Sequence, residues 1–231
     1  HPTSAWSTPR PSGSSLESPV MAHPPIEDSP WSDVPDSTTH TLESGPLLGH
    51  TTHQSVKLWA YQGAEAKTMQ LVYASNTPSD ATTSARTTRM SRTVNMAPNA
   101  FNGASIVEIG NLESNTLYDY DIRIENERVA TGHFKTAPSP RDPVEFNYLL
   151  ASCMNVKRNG YPDQPVWDEI RNIREPDFAI LPGDTVYLND QDWTAEGEIL
   201  PHRVFSRNLE QRAESHFAEF VANIPTYSTW D

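Results

Sequence analysis

The chain has 231 residues, 36% of them hydrophobic, with 20 prolines and a formal net charge of −13. Its lysines are confined to Lys57, Lys67, Lys135 and Lys157, so the surface repels nucleic acid at long range and no nucleic-acid partner is expected. No apolar stretch approaches the roughly 18 residues of a membrane span, and the lone Cys153 excludes an intrachain disulfide.

Residues 1–41, opening "HPTSAWSTPRPSGSSLES", are rich in Pro, Ser and Thr without an apolar period and read as a spacer. Trp6, Val20, Met21 and Trp31 are the groups that would pin this leader to a folded surface. Neither a charged n-region nor an apolar h-region follows His1, so the sequence reads as a mature form or a chain cut at that point.

From 42 to 138 the pattern changes to short alternating runs. "SVKLWAY" (55–61), "TMQLVYAS" (68–75), "SIVEIGNL" (105–112), "LYDYDIRIE" (117–125) and "ATGHFKTA" (130–137) read as strands. In the fourth, Leu117, Asp119, Asp121 and Arg123 are expected to face solvent, and Tyr118, Tyr120, Ile122 and Ile124 the core. Short strands at this spacing predict a β-sandwich. The turn "NLESNTLYDY" followed by "FKTAP" resembles the end of a fibronectin type III-like module.

"PSPRDP" (138–143) is a natural boundary, since three prolines favour extended chain. Beyond it "VEFNYLLASC" (144–153) reads as one nearly continuous strand. "QPVWDEIRNIRE" (164–175) reads as a helix with Val166, Ile170 and Ile173 on its buried stripe, and "DFAILPGD" as a second strand after Pro176. This β-α-β unit predicts a parallel sheet. "HRVFSRNLEQRAESHFAEFVANIP" (202–225) reads as one long helix with Phe205, Leu209, Ala213, Phe217 and Phe220 on a stripe. "YSTWD" (227–231) begins a third strand.

Ligands of a parallel sheet gather beyond the carboxyl ends of its strands. Cys153 and Asp184 follow two such ends, Tyr187 can turn back toward Asp184, and Asp231 joins from the third. Singly, Cys153 reads as a packed thiol, Asp184 as a turn residue, Tyr187 as a core phenol and Asp231 as a terminus. Jointly they are candidate metal ligands, with Asp184 able to bridge two cations that clamp the oxygens of a transferring phosphoryl group. Bound cations would also reverse, at one spot, the repulsion of an anionic ester by this acidic chain.

"LLASC", "PDFAILPGDTVY" and "IPTYSTWD" resemble, in order, three blocks of the PhoD-like alkaline phosphatase/phosphodiesterase family, and "GPLLGHTTHQSVKLWAY" suits its N-terminal domain. The resemblance covers about 42–231. It implies two domains: a fibronectin III-like sandwich over 42–138, and over 144–231 the first part of an α/β metallophosphoesterase domain of the four-layer αββα type. It further implies a secreted or periplasmic hydrolase of phosphate mono- or diesters, using a metal-activated water or hydroxide. Cys153 and Tyr187 would be ligands of ferric iron, Asp184 the bridging carboxylate, and Asp231 a residue on the side of a neighbouring calcium. The family's later histidine motifs have no counterpart among the eight histidines, so the chain is expected to be truncated or completed by a second polypeptide. A purple acid phosphatase-like enzyme also pairs such a sandwich with "GDxxY", but carries an Asp-bearing motif where this chain has "ASC". A non-catalytic β-sandwich binding module with an inert appendage is the remaining alternative.

Overall fold

The computed structural model describes residues 34–63, 66–76, 91–99, 103–155 and 163–229. The leader's Trp6, Val20, Met21 and Trp31 lie outside them. Seven strands form two antiparallel sheets. One holds β1 (Ser44–Thr51), β2 (Val56–Tyr61) and β5 (Ala104–Ile109) in the order β1-β2-β5. The other holds β3 (Met69–Ser75), β4 (Arg92–Met96), β6 (Leu117–Ile124) and β7 (Glu127–Lys135) in the order β4-β3-β6-β7.

Alternation explains the layering. Leu48, Leu58, Met69, Leu71, Ile122 and Phe134 are fully buried between the two sheets, and each strand's intervening residues point outward. Tyr118, near the start of β6, accepts a hydrogen bond from the Glu113 amide at 2.8 Å. That is the tyrosine corner, which locks the turn entering a sandwich strand. β1 and β4 were not anticipated from the sequence: Gly45, Pro46 and Gly49 interrupt the first, and the second is largely polar.

One expectation on β6 is overturned. Asp121 is fully buried, not solvent-facing, because its β3 partner Val72 is also buried and the sheet is covered there. Desolvation raises its pKa, while Arg123, whose Nη2 lies 3.1 Å from Oδ2, opposes the rise.

The rest of the chain builds a parallel three-stranded sheet, ordered β10-β9-β8 from β8 (Tyr148–Leu150), β9 (Phe178–Leu181) and β10 (Thr226–Ser228). The long strand expected over 144–153 shrinks to three residues. Among the described residues its only neighbour is β9, which Pro176 and Pro182 bracket. On one face Leu149, Ala179 and Leu181 pack against helices α1 (Val166–Ile173) and α3 (Ser215–Asn223). The other face is uncovered among the described residues. Phe146, Tyr148 and Leu150 are each more than half exposed, and the Tyr148 and Phe178 rings stack with centroids 5.8 Å apart.

The stripe expected on α1 is corrected in part: Ile170 packs against the core, but Val166 and Ile173 are exposed and Trp167 is buried, its ring centroid 4.9 Å from that of Phe217 and 5.0 Å from that of Phe220. The indole offers the largest apolar surface on the helix, so it takes the inward position and turns its flanking aliphatics out.

The single long helix is corrected too. It divides into α2 (Pro201–Arg212) and α3, with Ala213 exposed between them. Glu214 caps α3 by accepting from the Phe217 amide at 2.7 Å, and its other oxygen accepts from the Gln164 amide at 3.1 Å. A carboxylate tied to a loop 50 residues away outweighs the good helix propensity of Ala and Glu at this point.

α3 seats against the sandwich. The buried Tyr120 hydroxyl donates to the Ala222 carbonyl at 2.6 Å, and the His133 amide donates to Asn223 Oδ1 at 2.9 Å. Thr51 of β1 donates its amide to the Tyr227 hydroxyl of β10 at 3.2 Å.

Candidate metal centre

Two loops at the carboxyl edge of the parallel sheet carry the candidate ligands. After β8 the chain keeps to β9 for one more bond, Ala151 N–H to Ile180 O at 3.2 Å, and then releases Ser152 and Cys153 into solvent. Met154 plunges back into the core beside Trp167 and Leu181, which anchors the thiol-bearing loop. After β9 the buried Gly183 adopts φ of 150° and Asp184 follows at 51°. The two loops are tied by the Met154 amide donating to the Asp184 carbonyl at 2.9 Å.

Cys153 and Asp184 both adopt left-handed φ, 60° and 51°. For residues with a Cβ this costs on the order of 1 kcal/mol each, and such strain gathers where side chains must be aimed. Here both bends aim side chains at each other. Cys153 Sγ donates to Asp184 Oδ2 at 3.3 Å, with Ser152 Oγ 3.5 Å from the same sulfur.

Tyr187 completes the cluster. Its phenol lies beside both Cys153 and Asp184, and its pKa is raised, chiefly by desolvation and then by the proximity of those two groups. Its loop is held from below. Arg207 on α2 grips Asp192 through Nε at 3.0 Å and Nη2 at 3.2 Å, and Asp192 Oδ2 accepts the Asn189 amide at 2.8 Å. That grip holds the Asp192 carboxyl below the usual carboxylate range. A cleft of about 160 Å³ lies over Tyr187, lined by Met154, Asn189, Arg207 and Glu210. The sequence reading passed over Arg207 and Asp192, since nothing local links residues 15 apart.

Of the four sequence-derived candidates, Cys153 and Asp184 are in contact with Tyr187 beside them, and Asp231 lies outside the described residues. The donor chemistry fits a ferric ion: one thiol, one carboxylate and one phenol, all convertible to anions, sharing protons that a cation would displace. Among the described residues no three His, Cys, Asp or Glu side chains form a metal-holding group, and the third donor here is a phenol. His40, His133 and His216 pair instead with Glu125, Glu175 and Asp168.

No protein-family description and no curated protein matches the chain. Among solved structures, that of PhoD superposes with a TM-score of 0.65 at 18% identity, over 85% of this chain and 40% of that one. The chain thus spans two fifths of the length of the PhoD structure, and at this identity what is shared is the fold. A fibronectin type III domain of human collagen XX matches 44% of the chain at 18% identity with a TM-score of 0.32. The sensor domain of anti-sigma factor RsgI4 in Pseudobacteroides cellulosolvens matches 45% at 13% identity, also at 0.32. Scores that low carry no argument about either the sandwich or its role.

Proposed function

We propose that the chain carries part of the active site of a metal-dependent phosphoric ester hydrolase of the alkaline phosphatase/phosphodiesterase kind. The observation that supports it is the Cys153–Asp184 contact, with Tyr187 beside both, at the carboxyl ends of two parallel strands. The PhoD-like fold is consistent with it.

In this reading Cys153 and Tyr187 would hold ferric iron, and Asp184 would be a carboxylate ligand shared with a neighbouring calcium. Asp231 joins the calcium side on sequence grounds alone. The chemistry such ions supply when bound is Lewis-acid polarisation of the phosphoryl oxygens and activation of a water nucleophile. The chain's own part is to fix the donor atoms. The left-handed bends at Cys153 and Asp184 set their directions, and the Arg207–Asp192 clamp steadies the Tyr187 loop. The thiol and phenol protons now shared within the cluster leave when the ligands charge, so ferric uptake should release about two protons. The uncovered face bearing Tyr148, Leu150 and Phe178 is where we place the remainder of the catalytic domain, continuous with this chain or on a second polypeptide.

Ferric titration of the 231-residue chain tests the reading. A visible phenolate charge-transfer band should grow in, vanish in Tyr187→Phe, and fail to form in Asp184→Asn. By itself the chain should hydrolyse bis-p-nitrophenyl phosphate no faster than a Cys153→Ala, Asp184→Ala double variant. Ferric binding indifferent to both single substitutions would overturn the assignment.

A further inference from the structure

Arg212 ends α2 and lays its guanidinium over the sandwich, with the central carbon 4.9 Å from the Trp59 ring centroid. A cation–π contact does not itself require the guanidinium's N–H donors. Among the described residues no carboxylate pairs with it. Its neighbours differ: Arg207 is held by Asp192 and Glu210, and Arg171 by Glu219. Arg212 is half-buried, and desolvation pulls its pKa below the usual arginine value with no acidic group pulling the other way. A partly desolvated guanidinium with no carboxylate beside it is a favourable place for an anion to bind.

The guanidinium sits on the wall of a second cleft, of about 190 Å³, whose other polar lining includes Thr185, Asn208, Gln211, Ser228 and Thr229. No acidic residue lines it, although the chain carries a net charge of −13. Thr185 directly follows Asp184, and Met154, Val186 and Gln211 line both this cleft and the one over Tyr187. The two spaces adjoin at the carboxyl edge of the sheet.

We propose that this second cleft is an oxyanion subsite in which Arg212 binds a phosphate-like group, with hydroxyls such as that of Thr185 also lining it. The role of that group as a distal, non-reacting anion of the substrate rests on the hydrolase reading; anion binding itself does not. The test is calorimetric titration of the full chain with inorganic phosphate in metal-free, chelator-treated buffer, against equal ionic strength of chloride. Wild type should bind phosphate above the chloride background. Arg212→Gln should weaken binding by about ten- to a hundredfold, the range for losing charge-assisted hydrogen bonds. Thermal midpoints are recorded because Arg212 also packs on Trp59; should that variant unfold, Thr185→Val, expected to lose about threefold, decides. Wild-type phosphate affinity in Arg212→Gln, or in Thr185→Val if Arg212→Gln unfolds, overturns the subsite, as does the absence of phosphate binding by wild type. Phosphate binding through Arg212 in a chain that never takes up ferric ion would keep the subsite and remove the hydrolase reading.

Discussion

Tyr120→Phe should destabilise the chain through one bond. The last four carbonyls of a helix have no intrahelical donor, and that of Ala222, one residue from the end of α3, is buried against the sandwich. The Tyr120 hydroxyl fills this need at 2.6 Å, and full burial raises its pKa so that it remains a donor across the working pH range. Removing the hydroxyl changes almost no volume but leaves a buried acceptor without its donor, a loss of about 1–3 kcal/mol. For a chain of this length that corresponds to a fall in Tm of roughly 2–12 °C. Guanidinium titration followed by far-ultraviolet circular dichroism reads the change as a lower midpoint at unchanged slope. Amide exchange at Ala222 and Asn223 should quicken more than at β3. A change within about 0.3 kcal/mol of wild type would refute the claim that this bond joins α3 to the sandwich.

Three further substitutions probe neighbouring features. Gly132→Ala should cost at least as much as Tyr120→Phe, because a Cβ there would lie 2.6 Å from the Tyr120 hydroxyl and 3.0 Å from the Ala222 carbonyl; equal stability by denaturant titration would show that the junction can shift. Glu214→Ala should cost about 1 kcal/mol or more through the lost cap, with faster exchange at the Phe217 and Gln164 amides as its signature. Asp168 raises the folded-state pKa of His216 above 6.5, so the protonated pair contributes fully below that value and is lost as pH rises through the raised one. His216→Gln should therefore cost more stability at about pH 5.5 than at about pH 9, and equal losses at the two would count against the pair.

Much of the sandwich was legible in the sequence because a period of two needs only neighbouring residues. "LYDYDIRI" displays its buried tyrosines and isoleucines directly, and "NLESNTLY" its corner. The β-α-β order was legible for a similar reason: "FAIL" between Pro176 and Pro182 can be little but a short buried strand, and "GD" at its end marks a loop. What tertiary structure alone decided involves partners far apart along the chain. Whether α1 buries Val166 or Trp167 depends on the rings of Phe217 and Phe220. The break before α3 depends on Gln164 donating to Glu214, and the burial of Asp121 on what covers its sheet. The same holds for the site. The sequence could nominate Cys153, Asp184 and Tyr187 from strand ends, but left-handed turns at the first two, and a clamp from α2 onto Asp192, are what bring a thiol, a carboxylate and a phenol within reach of one another. Local periodicity sets which elements form, and long-range packing and hydrogen bonds set where their ends point.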